Sequence, residues 1–466
     1  MLKDNSAETL VTELRAEVAS RVPGERLPSS RQLVERHRVS PITVSRALAA
    51  LAAEGAVVVR PGAGTFVAAP PAQQEPGDLS WQSLALGERA ISADALSQLL
   101  DPPHDSSAIS LASGYPHPSL MPSRILATAW ARAARLPDAF DRPPAEGILR
   151  LRAWFARSAA PGIEPRDVLI TPGGQSAISA VVRALIPPGE PLLVESPTYP
   201  GVLAIARAAS ARPVPVPIDA KGLIIENLVD AFERTGARAL YVQPAFQNPT
   251  GAVLDRDRRG ALLQAAADAG AFVIEDDFAR WLGHGSQVPR PLIADDQDGR
   301  VIYITSLTKV TAPSLRIGAV ISRGAVTERI RALRMVDDMF VPRPAQEAAL
   351  ELVSSAGWDR HLRHLANALR QRSEALSAGL ARHLPALPQV ARPAGGMHRW
   401  VPLPPGFDDT EVAAAARRAG VIVTPGRAYY PAEPPGPHLR LTFAAASDVN
   451  SLDEGLRRLA LALSDL

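Results

Sequence analysis

The sequence has no cysteine in its 466 residues, which excludes disulfide frameworks, zinc–thiolate sites and cysteine nucleophiles. Lysine is nearly as scarce. Only Lys3, Lys221 and Lys309 occur against 50 lysines and arginines together, so chemistry that needs a side-chain amine has three candidates. No run of about 18 apolar residues occurs, so no membrane-spanning helix is expected. Residues 1–5 are polar and lack the apolar core of a signal peptide, so the expected location is the cytoplasm. A net charge of +2 is too small to mark a nucleic-acid binder by itself. The apolar (46%) and charged (21%) fractions are ordinary for a globular protein and exclude disorder or a fibrous repeat as whole-chain descriptions. The length exceeds what one compact core normally holds, so two or three domains are expected.

Residues 1–69 read as a small helical module with a β-wing. Leu10, Leu14, Val18 and Val22 recur at helical spacing, and Pro23-Gly24 ends that helix. Ser29 is placed to cap a second helix, and Ser40-Pro41 a third, with proline at the first helical position. Val44, Leu48 and Leu51 are its expected buried stripe, and Gly55 closes it. Two β-like runs, 56–60 and 65–68, flank the turn Pro61-Gly62-Ala63-Gly64. Residues 70–105 open with Pro70-Pro71-Ala72-Gln73-Gln74-Glu75-Pro76-Gly77 and read as a linker, with room for a helix within 81–100.

From 106 to 466 apolar runs alternate with helical stretches. The runs are 168–170, 191–194, 239–242, 271–274 and 301–304, and the helices include 175–186 and 256–269. This alternation predicts an α/β domain with a mainly parallel, helix-covered sheet. Helices around 344–384 and 409–419, with strands near 397–402 and 438–443, predict a smaller α+β lobe.

The basic excess is concentrated in the first module. Arg26, Arg31, Arg36, Arg38, Arg46 and Arg60 face only Glu35 and Glu54 between positions 26 and 60. Short hydroxyl side chains at a helix start, with arginines nearby, suit phosphate and base-edge contacts in a major groove. The glycine-rich wing allows close backbone approach. From Arg26 to Val67 the stretch resembles the winged helix-turn-helix of the GntR superfamily of regulators. That resemblance implies double-stranded DNA as a partner, with Arg31, Thr43, Ser45, Arg46 and Arg60 as contacts. The position after Ser40, often basic in that superfamily, is Pro41.

A second constellation starts at Ser306-Leu307-Thr308-Lys309 and continues through Pro313 to Leu315-Arg316-Ile317-Gly318. A lysine ending a strand in a hydroxyl-rich loop suits an aldehyde cofactor held as a Schiff base. Arg316, seven residues on, is within reach of a cofactor phosphate. Upstream, Thr171-Pro172-Gly173-Gly174-Gln175-Ser176 follows a strand and opens a helix, a phosphate-binding arrangement. Glu195-Ser196-Pro197-Thr198-Tyr199 puts a ring at a strand end, and Gln247-Asn248-Pro249-Thr250-Gly251 offers an amide after another. Glu275-Asp276-Asp277 puts carboxylates where one can keep a pyridine nitrogen protonated. His438-Leu439-Arg440 sets a guanidinium in an apolar strand, suited to a carboxylate.

In this order these pieces resemble the fold-type I pyridoxal-phosphate aminotransferases over residues 106–466. The whole chain resembles the MocR-type regulators, a GntR-like module joined by a linker to such a domain. The resemblance implies pyridoxal 5'-phosphate as cofactor and an internal aldimine on Lys309. Asp276 would pair with the pyridine nitrogen, Asn248 with the ring oxygen, and Tyr199 would stack on the ring. Gly173, Gly174, Gln175, Ser306 and Arg316 would hold the phosphate, and Arg440 a ligand carboxylate. It further implies a homodimer that senses a small amino compound or the cofactor itself. No metal is expected. Two departures stand out. The tyrosine usual two or three residues after the strand-end aspartate is replaced by Phe278 and Ala279, so weak or absent transaminase turnover is expected. The tyrosine usual before Gly147 is replaced by Arg142 and Pro143. The alternatives are a working aminotransferase with an accessory DNA-binding module, and a DNA-binding protein whose second domain has lost the cofactor.

Overall fold

The computed structural model describes residues 5–69, 78–86, 108–285 and 288–464. It divides into two compact units, 1–89 and 90–466.

The first unit contains α1 (Asn5–Ala19), α2 (Ser30–His37), α3 (Pro41–Ala53) and an antiparallel wing of β1 (Val57–Arg60) and β2 (Gly64–Val67). Both serine caps form as the sequence predicts. Gln32 N donates to Ser29 Oγ (3.3 Å) while Ser29 N donates to Gln32 Oε1 (2.8 Å). Thr43 N donates to Ser40 Oγ (3.1 Å). These bonds satisfy first-turn donors that have no helical acceptor. Leu10, Leu14, Val18, Leu33, Val44, Leu48, Leu51 and Val57 form the core. Val22 does not join it and is 70% exposed. The helical spacing stops applying because α1 ends at Ala19, after which Gly24 (φ +85°) turns the chain so that its N–H meets Val67 O. A short helix, α4 (Trp81–Leu86), falls in the expected 81–100 region. The remainder of that region, and 70–77 of the linker, lie outside the described residues.

In the second unit, β3 (Ile109–Ser110) precedes an eight-stranded sheet. Its strands are β4 (Val168–Thr171), β5 (Pro191–Ser196), β6 (Arg212–Asp219), β7 (Gly222–Leu223), β8 (Ala239–Val242), β9 (Phe272–Asp277), β10 (Val301–Ser306) and β11 (Gly318–Ile321). The order is β4-β11-β10-β9-β8-β5-β6-β7, parallel except at β11 and the edge strand β7. All five apolar runs are strands. Three strands of this sheet escaped the sequence reading: β6, the two-residue β7 and β11. In β6, Pro213, Pro215 and Pro217 alternate with valines, which argues against a strand, but two-residue β7 covers only Ile218 and Asp219, so the prolines sit on an effective edge. β11 is four residues long and follows directly on the Arg316 motif. The helical stretch 344–384 divides into Arg343–Val353 and Trp358–His383.

The smaller lobe contains an antiparallel sheet with β15 (His438–Thr442) between β12 (His398–Pro402) and β14 (Thr424–Pro425). Its strand β13 (Val421–Ile422) pairs in parallel with β3, so the segment just after the linker region is built into this lobe. Helices Trp358–His383 and Val449–Ser464 cover it, with Leu376, Leu452 and Leu456 buried. The C-terminal ends of β4, β5, β8, β9 and β10 lie together, where ligands bind in open parallel sheets.

Candidate functional site

A cavity of about 370 Å³ opens at these strand ends. It is lined by Gly174, Gln175, Tyr199, Asn248, Asp276, Ser306, Lys309, Arg316 and Arg440, residues drawn from most of the second unit's length. One end is built for an anion. Gly173 caps helix Gly174–Leu185 at φ +87°, and a Cβ there would lie 2.8 Å from Arg316 Nη2. The positive φ favours glycine, and any side chain there would displace the Arg316 guanidinium. The first turn of that helix presents N–H groups without helical acceptors. Arg316 Nη2 donates to Pro172 O (2.9 Å), and no carboxylate pairs with Arg316 among the described residues. Ser306 Oγ accepts from Thr308 N (3.1 Å) and lies 3.1 Å from Ile317 O, which fixes the loop that carries Lys309.

The middle of the cavity is shaped for a flat ring. Tyr199 caps helix Pro200–Ala208 and donates from its hydroxyl to Gln175 Oε1 (3.0 Å). Its ring folds back so far that a Cβ on Gly201 would come within 2.2 Å of it. Asp276 ends in the cavity with Oδ2 accepting from Tyr241 OH (2.5 Å) and Gln243 Nε2 (2.7 Å). Burial raises the Asp276 pKa, while those two donors and Lys309 pull it down. Lys309 Nζ donates to Gly114 O (2.8 Å) and lies 3.8 Å from the centre of the Tyr115 ring. Burial, followed by Arg440 and Arg316, pushes its amine down to about 7 against the pull of Asp276.

Arg440 closes the other end. It is 1% exposed on β15, donates to Ala112 O and, over 3.4 Å, to Asn248 Oδ1. Its Nε has no partner, and no carboxylate pairs with it among the described residues. A buried guanidinium in this state is costly unless an anion completes it. Beside it His398 is kept neutral by burial and by the charges of Arg440 and Lys309, with Nδ1 3.1 Å from Thr442 Oγ1.

Sequence reasoning missed Tyr115, His398, Tyr241 and Gln243. The Gly-Tyr-Pro turn at 114–116 and the Gly395-Gly396 pair before His398 were the available signals; Tyr241 and Gln243 read as plain strand residues. Phe278 lines the cavity without a hydroxyl, Ala279 is buried, and Arg142 is exposed and does not line the cavity.

In the first unit, Ser45 and Arg46 are exposed on α3, and Thr43 Oγ1 lies 2.9 Å from Ser40 Oγ. Arg31 is exposed on α2, 3.4 Å from Glu35. Arg60 Cζ sits 4.9 Å from the Phe66 ring centre on the wing. Arg36 shares Glu17 with Arg21, so it is less available to phosphates than the sequence count implies.

The sequence model for aminotransferase class I and II matches residues 137–459, and the model for bacterial regulatory proteins of the gntR family matches residues 6–67. A 2-aminoadipate transaminase of Thermus thermophilus is 31% identical over 83% of this chain and 98% of its own length. An uncharacterized HTH-type transcriptional regulator of Escherichia coli, YdcR, is 28% identical over 91% of each chain. The solved structure of the α-aminoadipate aminotransferase LysN from Thermus thermophilus, complexed with N-(5'-phosphopyridoxyl)-L-leucine, superposes with a TM-score of 0.77. It covers 83% of this chain and 99% of its own at 31% identity. The chain belongs to the class I and II aminotransferase family. With a gntR-family module ahead of that domain, it has the MocR-type arrangement of a DNA-binding regulator, and its cofactor is pyridoxal 5'-phosphate. The Gly173 cradle, the Arg316 guanidinium without a carboxylate partner among the described residues, and the buried Asp276 fit that group's phosphate and ring nitrogen. Among the described residues no helix is long and apolar enough to cross a membrane.

Proposed function

We propose that this protein is a cytoplasmic, homodimeric transcriptional regulator that senses a small amino compound at Lys309 and changes its grip on DNA in response. The observation that carries the reading is the placement of Lys309, Asp276, Arg316 and Arg440 around one cavity in a chain that also carries the DNA-binding module. Bound pyridoxal phosphate supplies an aldehyde for a primary amine and an electron-withdrawing ring. Arg316, Ser306 and the start of helix Gly174–Leu185 anchor the phosphate. Asp276 holds the ring nitrogen, Asn248 the ring oxygen and Tyr199 a ring face. Lys309 supplies the resident amine, and near neutral pH a sizeable fraction of it is uncharged and nucleophilic. Arg440 gives an incoming carboxylate a fork beside that amine.

Phe278 gives no hydroxyl near the ring oxygen, and binding without consumption is what a sensor needs. Keto-acid production with amino acids that shift the visible band should therefore stay below about 1 per second, the low end of ordinary enzymes. Turnover within the ordinary range would instead favour a working aminotransferase, the reading supported by the transaminase relatives.

Arg31, Thr43, Ser45, Arg46 and Arg60 form the proposed DNA face, two copies of which would meet two half-sites in the dimer. Binding to duplex DNA should weaken by at least about 10²-fold between 50 and 200 mM salt, because each neutralised phosphate releases counterions. Arg46→Ala should lower both the affinity and the slope of its salt dependence in filter-binding or anisotropy titrations. A variant with an unchanged slope would remove Arg46 from the interface.

A further inference from the structure

Tyr241 lies near the end of β8 and Gln243 just past it. They are two residues apart, so both side chains leave the same face. Both are buried, at 0% and 2% exposure. Gln243 Nε2 donates to Asp276 Oδ2 (2.7 Å) and lies 3.1 Å from Tyr241 OH, which donates to the same oxygen (2.5 Å). The other end of that amide, Oε1, accepts from Asn248 N (3.0 Å), and Gln243 N donates to Glu195 Oε2 (3.0 Å). A single side chain thus joins the two residues placed at the ring nitrogen and the ring oxygen.

We propose that Tyr241 and Gln243 are positioning residues that hold Asp276 in the orientation and charge state the cofactor's ring nitrogen requires, and that Gln243 fixes Asn248 to the same frame. The inference rests on the cofactor reading of the cavity. Two donors on one oxygen favour the carboxylate over the acid, against a burial that disfavours charge. They also pin the carboxylate against rotation. Oδ1 accepts no hydrogen bond among the described residues, which leaves it to receive the ring N–H.

The discriminating probe is an analogue of pyridoxal phosphate in which C–H replaces the ring nitrogen. Full-length protein, Tyr241→Phe and Gln243→Leu are titrated with both compounds, following the visible band for the cofactor and protein fluorescence for each. Melting temperature and DNA binding report folding. Each variant should bind pyridoxal phosphate about ten-fold more weakly, the scale of one lost hydrogen bond to a charged group. Tyr241→Phe should bind the analogue within about two-fold of the unaltered chain, since that compound does not use Asp276. Gln243→Leu should lose some analogue binding through Asn248, but clearly less than it loses for pyridoxal phosphate. The pH at which the bound cofactor changes colour should also move in both variants. Equal losses for both compounds, or no loss for either, would overturn the proposal. Should Tyr241→Phe fail to fold, the excess loss of Gln243→Leu for pyridoxal phosphate over the analogue gives the reading from the other donor. If the unaltered chain binds neither compound, the cofactor reading itself falls and this inference with it.

Discussion

Replacing Lys309 with alanine will remove both the visible absorbance band of the cofactor-loaded protein and the adduct that borohydride fixes to the chain. The expectation has a firm chemical basis because only three lysines exist. Lys221 is on the surface, 4.0 Å from Asp255, and Lys3 lies outside the described residues. Among the described residues Lys309 alone is placed in the cavity, with its amine lowered to about 7. Digestion of the reduced protein should yield one labelled peptide, the one containing Lys309, and the variant should yield none.

The shift also sets a pH window. Lysine ordinarily stays charged until well above pH 9, whereas an amine depressed to about 7 loses its proton as the pH rises through 7. Capture of added pyridoxal phosphate should therefore rise between about pH 6 and 8 and then level off. A rate that kept climbing to about pH 10 would mean that an ordinary exposed lysine does the capturing.

Replacing Arg440 with alanine will separate ligands by their carboxylates. The guanidinium is buried, its Nε is unpaired, and its bonds go to Ala112 O and Asn248 Oδ1 rather than to an acid. Truncating one partner of a buried charged contact usually costs about 2–5 kcal/mol. The concentration of an amino acid needed to shift the visible band should therefore rise by at least about 30-fold. For a plain amine without a carboxylate the change should stay within about three-fold. Arg440→Lys should recover little, since a single ammonium cannot reproduce the two-pronged contact. Equal weakening for amines and amino acids would show that Arg440 supports the fold of β15 rather than the ligand.

Much of this site could be read from the sequence because its pieces sit at strand ends, where short local motifs report both the element and the chemistry. Lys309 in its hydroxyl-rich loop, the Gly173-Gly174 cradle and Asp276 after an apolar run are of that kind. What escaped depends on tertiary placement. Tyr115 reaches Lys309 from far upstream in the chain, and His398 enters from the smaller lobe. Tyr241 and Gln243 matter only because β8 lies beside β9 in parallel, with Tyr241 opposite Ile274 and the chain running on to Asp276. Strand β6 was hidden by its prolines, whose penalty depends on how far the neighbouring strand extends. Val22 shows the reverse error: a helical period continued on paper past the residue where the helix ends.

The central claim is that occupancy of the Lys309 cavity and binding of DNA are coupled. The most direct measurement is a pair of binding isotherms for full-length, cofactor-loaded protein on a duplex selected by it from a random pool. One is taken alone and one with the amino acid that most strongly shifts the visible band. Coupling of the usual size, about 1–3 kcal/mol, should change the DNA affinity by about five-fold or more, and DNA should change the ligand's affinity by the same factor. The change should vanish in Lys309→Ala. Superimposable isotherms with the ligand bound would contradict the account and leave the cavity and the DNA-binding module as independent functions of one chain.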